Sequence, residues 1–262
     1  MIGAIIGDIA GSRFEFDNIL HKDFELLHED CFFTDDTVMT CAVAESIMRC
    51  GGKYDNLAAV ATDTLREIGA NYPRCGFGAR FFHWIFGKPA PYGSLGNGSA
   101  MRISPVGDIA ADEAQAAVLS DRVTEISHNH PDGMLGARVT ATCIVLARES
   151  KDKEKIRQYT ARYYTLDKTV AEIRRTNYHN EFCNPCVPQA IQCFLESTDF
   201  EDCIKNCISI GGDSDTIAAI AGGIAEAYYG VPAELEEKAV AFLDERLQDI
   251  YCRWKKFVAD KR

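Results

Sequence analysis

No stretch of this 262-residue chain approaches the roughly 20 uninterrupted apolar residues that a bilayer-spanning helix requires. A basic leader is also missing, because Met1-Ile2-Gly3-Ala4-Ile5-Ile6-Gly7 is apolar and Asp8 cuts it short. That pattern argues against a secretion signal and predicts a cytoplasmic protein. Positive charge is scarce: 28 basic against 39 acidic residues leave a formal net charge of −11. A surface that negative repels a phosphate backbone and argues against general nucleic-acid binding. An anionic ligand can still be drawn in where bound cations supply positive charge locally.

Strand signals are nearly absent, since no alternating run of β-branched residues sits between turns. No internal repeat, low-complexity tract or linker divides the chain, so residues 1–262 are expected to form one domain, a monomer or weak oligomer. A dinucleotide fold is set aside too, because G-x-G-x-x-G after a strand does not occur. With 47% apolar and 26% charged residues, the composition is that of a globular protein.

Helical periodicity is what the chain has instead. Apolar faces predict helices over 36–50, 55–68, 113–126, 132–149, 187–196, 202–208, 233–247 and 249–258. Residues 216–229 are apolar almost all round and predict a helix at the centre of the molecule. Gly3, Gly7 and Gly11 share one helix face, where another backbone can approach closely, and Gly222 and Gly223 offer a matching surface. The longest irregular stretch is 71–108, rich in glycine, proline and aromatics; loops of that length are usually functional. The fold class is therefore all-α, a single-domain bundle with a site built partly from loops.

Eleven cysteines are many, and the number is odd. Cys183-Asn184-Pro185-Cys186, Cys203 and Cys207 tempt a zinc reading, but Cys193, Cys203 and Cys207 fall on amphipathic helical patterns rather than in two tight pairs. They are expected to be free thiols without metal.

Two acidic clusters carry the chemistry: Thr34-Asp35-Asp36-Thr37 and Gly211-Gly212-Asp213-Ser214-Asp215-Thr216, each immediately before a predicted helix. Capping accounts for one such residue per helix. It does not account for two carboxylates and two hydroxyls in four positions, twice. Adjacent carboxylates repel, and burying them unpaired is costly. A hard divalent cation with oxygen ligands resolves that conflict. A third segment, Pro91-Tyr92-Gly93-Ser94-Leu95-Gly96-Asn97-Gly98-Ser99-Ala100-Met101-Arg102, has the open backbone amides that wrap a diphosphate. In Ser127-His128-Asn129-His130-Pro131, one histidine is expected to be a ligand-binding donor and the other structural.

Together these segments resemble the ADP-ribosylglycohydrolase family, which includes the dinitrogenase reductase-activating glycohydrolases. The matching residues, in family order, begin with Gly7-Asp8-Ile9-Ala10-Gly11-Ser12-Arg13-Phe14-Glu15 and Thr34-Asp35-Asp36-Thr37. They continue with Tyr72-Pro73, Gly76-Phe77-Gly78, the run from Gly96 to Arg102, Ser127-His128, Gly211 to Thr216, and Tyr228-Tyr229-Gly230. The resemblance implies a compact helical bundle with two magnesium ions (manganese as a substitute) in a central cleft, ligated by Thr34, Asp35, Asp36, Asp213, Asp215 and Thr216. It implies catalytic roles for Glu15 and Asp36. Substrate contacts would come from Ser94, Gly96, Asn97, Gly98 and His128, joined by Tyr72, Met101, Gly212 and Ser214.

The expected reaction is hydrolysis of the bond between ADP-ribose and a modified group on a protein or small molecule, with ADP-ribosyl-arginine first. ADP-ribosyl-serine, O-acetyl-ADP-ribose or another nucleotide conjugate are the alternatives. The sequence departs from relatives at Gly93 and Leu95, where some carry asparagine and an aromatic residue, which bears on linkage specificity. Two rival readings use the same residues: a two-metal phosphohydrolase cleaving a pyrophosphate, and a non-catalytic ADP-ribose-binding protein.

Overall fold

In the computed structural model, which describes residues 1–261, the helical pattern resolves into fifteen α-helices and no sheet among the described residues. The first is α1 (Ile2–Gly11), then after a short turn and a loop α2 (Asp35–Arg49), α3 (Leu57–Gly69), α4 (Ala79–Phe86), α5 (Gly98–Met101) and α6 (Ser104–Ile109). The middle of the chain supplies α7 (Glu113–Thr124), α8 (Pro131–Ser150), α9 (Lys153–Thr160) and α10 (Val170–Thr176). The last third adds α11 (Cys183–Glu196), α12 (Phe200–Ser209), α13 (Ser214–Tyr229), α14 (Ala233–Phe242) and α15 (Glu245–Ala259).

Three expectations need correction. The stretch 71–108 is not wholly irregular, since it contains α4, α5 and all but the last residue of α6. In α4 the apolar spacing of Phe81, Trp84 and Ile85 buries one face, a period short enough to be missed among the flanking glycines. The helix expected over 233–247 is two helices, because Asp244 adopts an extended backbone and caps α15 by accepting from the Leu247 N–H at 2.9 Å. Finally, α11 begins at Cys183 rather than Val187, with a break at Asn184. Asn184 precedes Pro185, whose ring disfavours helical geometry in the residue before it.

The centre is α13, buried from Ser214 to Ala225, which explains its apolar circumference. It packs most extensively on α1, and α8, α11 and α12 close around it. The glycines make the α1 contact possible. A Cβ at Gly7 would run into the Ala218 backbone, and one at Gly3 into the carbonyl of Gly222. This close approach sets Asp8 of α1 beside Asp215 at the start of α13. No helix among the described residues is long and apolar enough to cross a membrane.

Candidate active site

Thr34 is the N-cap of α2: its backbone is extended and its Oγ1 accepts from the Asp36 N–H at 3.3 Å. The turn is then clamped from α1. Buried Asp8 accepts from Thr34 Oγ1 at 2.7 Å, from the Thr34 N–H at 2.9 Å and from the Thr37 N–H at 3.0 Å. With the cap supplied by Thr34, and the Thr34 and Thr37 amides taken by Asp8, the Asp36 carboxylate has no capping duty. Asp36 Oδ2 is buried without a hydrogen-bond partner among the described residues.

The second cluster is shaped by glycine. Gly211 and Gly212 have φ of +68° and +80°, a left-handed conformation that favours glycine. The Asn18 amide grips Gly212, accepting from its N–H at 2.8 Å and donating to its carbonyl at 3.0 Å. The chain leaves this turn as α13, and Asp213 makes no side-chain cap bond to it. Asp213 instead accepts from Asn97 Nδ2 at 2.5 Å, while Asp215 accepts from the Thr216 N–H at 2.9 Å. Glu15, half-buried after α1, completes the cluster. One carboxylate oxygen from each of Glu15, Asp213 and Asp215 lies within 4.8 Å of the others.

These acids form one wall of a cleft of about 530 Å³, lined by Glu15, Thr34, Asp35, Asp36, Asp213, Asp215 and Thr216. Burial first, then neighbouring carboxylates, raises Asp35, Asp36 and Asp215 well above the usual carboxylate range. Burial and then Asp215 push Glu15 up to about 8, and burial takes Asp213 to about 7. The cluster is thus crowded with like charge, supplies only oxygen donors and leaves a carboxylate oxygen unpartnered. That is the donor set a hard divalent cation takes. The residues fit a metal site.

The opposite wall is the glycine-rich segment, where Ser94, Gly96, Asn97, Gly98 and Met101 face the cleft. It is held by the chain before α11. The Asn97 N–H donates to the Glu181 carbonyl at 2.8 Å, and the Cys183 N–H to the Leu95 carbonyl at 3.0 Å. His128 stands behind this loop, buried, with Phe81 and Tyr92 ring centroids 6.0 and 5.9 Å from its own. Burial, then Arg102 and Arg80, lowers its pKa well below the ordinary histidine value, so it is neutral near pH 7.

Three of the expected substrate contacts lie elsewhere. The Tyr72 hydroxyl donates to Asp244 Oδ2 at 2.8 Å and its ring packs on Phe33, outside the lining of the cleft. Ser214 Oγ donates to the Gly11 carbonyl at 3.2 Å, tying α13 to α1, and Gly212 is enclosed by Asn18 and Asn177. Other residues that build the cleft carry no role in the reading of the sequence. Asp8 is one, although a lone carboxylate inside an apolar glycine-spaced helix was a visible signal. Arg74, Arg80, Phe16, Phe32, Glu181 and Phe182 also line the cleft, and nothing local in the sequence marks them. Cys183 and Cys186, which raised the zinc reading, are buried thiols; Cys186 donates to the Asn180 carbonyl at 2.8 Å.

An all-helical scaffold thus sets an acid-lined wall against a glycine-rich loop and a buried histidine. The sequence model of the ADP-ribosylglycohydrolase family matches residues 1–258, and the chain belongs to that family. It is 24% identical to the ADP-ribosylhydrolase ARH3 of Gallus gallus, covering 97% of this chain and 92% of that protein. It is 26% identical to the protein of the same name from Xenopus tropicalis, over 97% of this chain and 95% of the relative. It is 27% identical to the ADP-ribosylarginine hydrolase Tri1 of Pseudomonas putida strain GB-1, over 91% of this chain and 72% of that one. A solved ADP-ribosylglycohydrolase-related protein complex shares the fold, with a TM-score of 0.67 at 20% identity over 94% of this chain and 97% of its own. The protein is an ADP-ribosylglycohydrolase, an enzyme that hydrolyses ADP-ribose linkages.

Proposed function

We propose that this enzyme releases ADP-ribose from ADP-ribosyl-arginine and does so with two magnesium ions, for which manganese can substitute. The observation that carries the reading is the convergence of Glu15, Asp213 and Asp215 within 4.8 Å, from chain segments about 200 residues apart, opposite the glycine-rich loop. Thr34, Asp35, Asp36, Asp213, Asp215 and Thr216 would hold the cations. Bound there, the cations would supply Lewis-acid polarisation of ribose hydroxyls and of a water.

The chain's own groups do the rest. Ser94, Gly96, Asn97, Gly98, Met101 and His128 bind the diphosphate and the adjoining ribose through amides, short polar side chains and a neutral imidazole. Glu15 moves the proton between the attacking water and the leaving group, and Asp36 is the second carboxylate for that step. Tyr72, Gly212 and Ser214 act at a distance, by supporting the segments that carry the site.

Arginine is favoured over serine by the mouth of the cleft. Phe16 and Phe182 line it and are 84% and 47% exposed, alongside the carboxylates of Glu15 and Glu181. Phe16 also packs on His179, with ring centroids 5.7 Å apart. Aromatic faces and carboxylates are the groups that hold a guanidinium.

The test is product analysis on ADP-ribosyl-arginine and ADP-ribosyl-serine substrates, with and without Mg²⁺. Free ADP-ribose should appear, faster from arginine, and only with the cation. Glu15→Gln should lower turnover by about 10²–10⁴-fold, the usual worth of a positioned proton-transfer group. Release of AMP and ribose phosphate would establish the pyrophosphate reading instead. Tight ADP-ribose binding without turnover of either substrate would establish the non-catalytic one.

A further inference from the structure

We propose that Arg102 and Ser127 are positioning residues that fix the protonation site of His128, so that its Nε2–H is the donor presented to an anionic ligand in the cleft. The argument is one of hydrogen-bond direction. Arg102 follows α5 and is fully buried. Its Nη2 donates to Ser127 Oγ at 3.0 Å and to the Val123 carbonyl at 3.4 Å. A guanidinium has donors only, so Ser127 Oγ is an acceptor in that contact.

Ser127 Oγ lies 2.8 Å from His128 Nδ1, and either atom can be the donor there in principle. If Nδ1 carried the proton, the Ser127 hydroxyl would accept from both neighbours and its own hydrogen would have no acceptor among the described residues. A buried hydroxyl hydrogen left without a partner is costly. The arrangement that satisfies both Ser127 Oγ and His128 Nδ1 has Ser127 donating to Nδ1, which leaves the imidazole proton on Nε2. The direction of donation therefore runs from Arg102 through Ser127 to the histidine.

His128 lines the cleft, and its other ring nitrogen lies against the glycine-rich wall. A Cβ placed on Gly98 would sit 3.1 Å from His128 Nε2, and one on Gly96 would sit 3.8 Å away. Glycine at both positions keeps this edge uncovered. The rings of Phe81 and Tyr92 pack beside the imidazole, and the Arg102 guanidinium lies 5.3 Å over the Phe81 ring, so the orientation is held from behind as well. A neutral donor with a fixed tautomer, backed by a buried positive charge, suits a phosphate oxygen.

The experiment has two arms. In the first, ¹⁵N-histidine NMR at neutral pH, without ligand, reads the tautomer directly. The parent should show a neutral His128 protonated at Nε2. Ser127→Ala should give a mixture of tautomers, and Ser127→Thr should restore the single form. A parent protonated at Nδ1, or a Ser127→Ala variant with an unchanged tautomer, overturns the proposal. A parent protonated at Nδ1 overturns the proposal even if a variant fails to fold. The second arm rests on the proposed function and titrates ADP-ribose calorimetrically in the presence of Mg²⁺. Ser127→Ala should bind about tenfold more weakly, the loss of one well-made hydrogen bond, and Ser127→Thr like the parent. Equal affinity in all three proteins overturns the role in binding. A parent that fails to bind ADP-ribose counts against the proposed function, while the tautomer result stands independently.

Discussion

Asp8 shows how much of the site depends on a side chain outside the acidic clusters. Its two oxygens accept three hydrogen bonds from Thr34 and Thr37, and a carboxylate is the one side chain of this size that accepts at both ends. Asp8→Ala would remove both acceptor oxygens and strand the Thr34 and Thr37 N–H groups. The expected loss is about 1–3 kcal/mol of stability by urea denaturation, together with weaker cation binding because the Thr34–Asp36 turn loosens. His128 gives a second prediction, in pH. Its folded pKa lies well below 6.5, whereas the unfolded histidine titrates near 6.5. Between those values the unfolded chain takes up a proton that the folded protein does not, so stability falls as pH drops below 6.5 and is unaffected by this group above it. His128→Gln should flatten the stability profile below pH 6.5 by up to about 1.4 kcal/mol per pH unit, measured against the parent.

Among the elements, the pair α1 and α13 does most to build the cleft. The glycine spacing in α1 is an observation about sequence, but its meaning comes from contact: Gly7 lies against the backbone of Ala218 and Gly11 against that of Asp215. Gly7→Ala separates two effects. Alanine improves helix propensity by about 1 kcal/mol, yet its methyl group has no space against a backbone carbonyl, and overpacking of that kind costs about 3 kcal/mol or more. The clash should dominate, and a urea titration should show net destabilisation. Cation binding should weaken as well, since forcing these helices apart moves Asp8 from Asp215. Helix boundaries follow a similar logic. Asp244 divides α14 from α15 and also accepts from the Tyr72 hydroxyl, which ties the family-motif tyrosine to this boundary.

For the molecule as a whole, folding and cation binding are linked. Bringing Asp8, Asp35, Asp36, Asp213 and Asp215 together concentrates negative charge inside a chain whose net charge is already −11. A ligand that binds only the folded state stabilises it, by about 2.7 kcal/mol at one hundred times its dissociation constant. Thermal denaturation should therefore rise with Mg²⁺ concentration. Asp36→Asn keeps the size of the residue but removes the carboxylate whose Oδ2 has no partner. Without cation this variant should be at least as stable as the parent, because repulsion is relieved, and its gain from added Mg²⁺ should be smaller. Equal gains in both proteins would mean that Asp36 holds no cation.

The sequence by itself determined the fold class, the central helix and the acidic residues. Those rest on local rules: a period of 3.6 residues, an apolar circumference on 216–229, and carboxylates too closely spaced to be caps alone. It also marked the glycine-rich loop and His128, which carry unusual residue types at short range. What it left open is what depends on residues far apart meeting in space. Glu15 joins Asp213 and Asp215 because α1 and α13 touch backbone to backbone, and the aromatic and acidic mouth is assembled from residues around 16 and 182. Asp8, Arg102 and Ser127 gain their roles from hydrogen bonds across 26, 29 and 25 positions of chain. No local pattern encodes such partners, because burial and contact geometry, rather than spacing, select them.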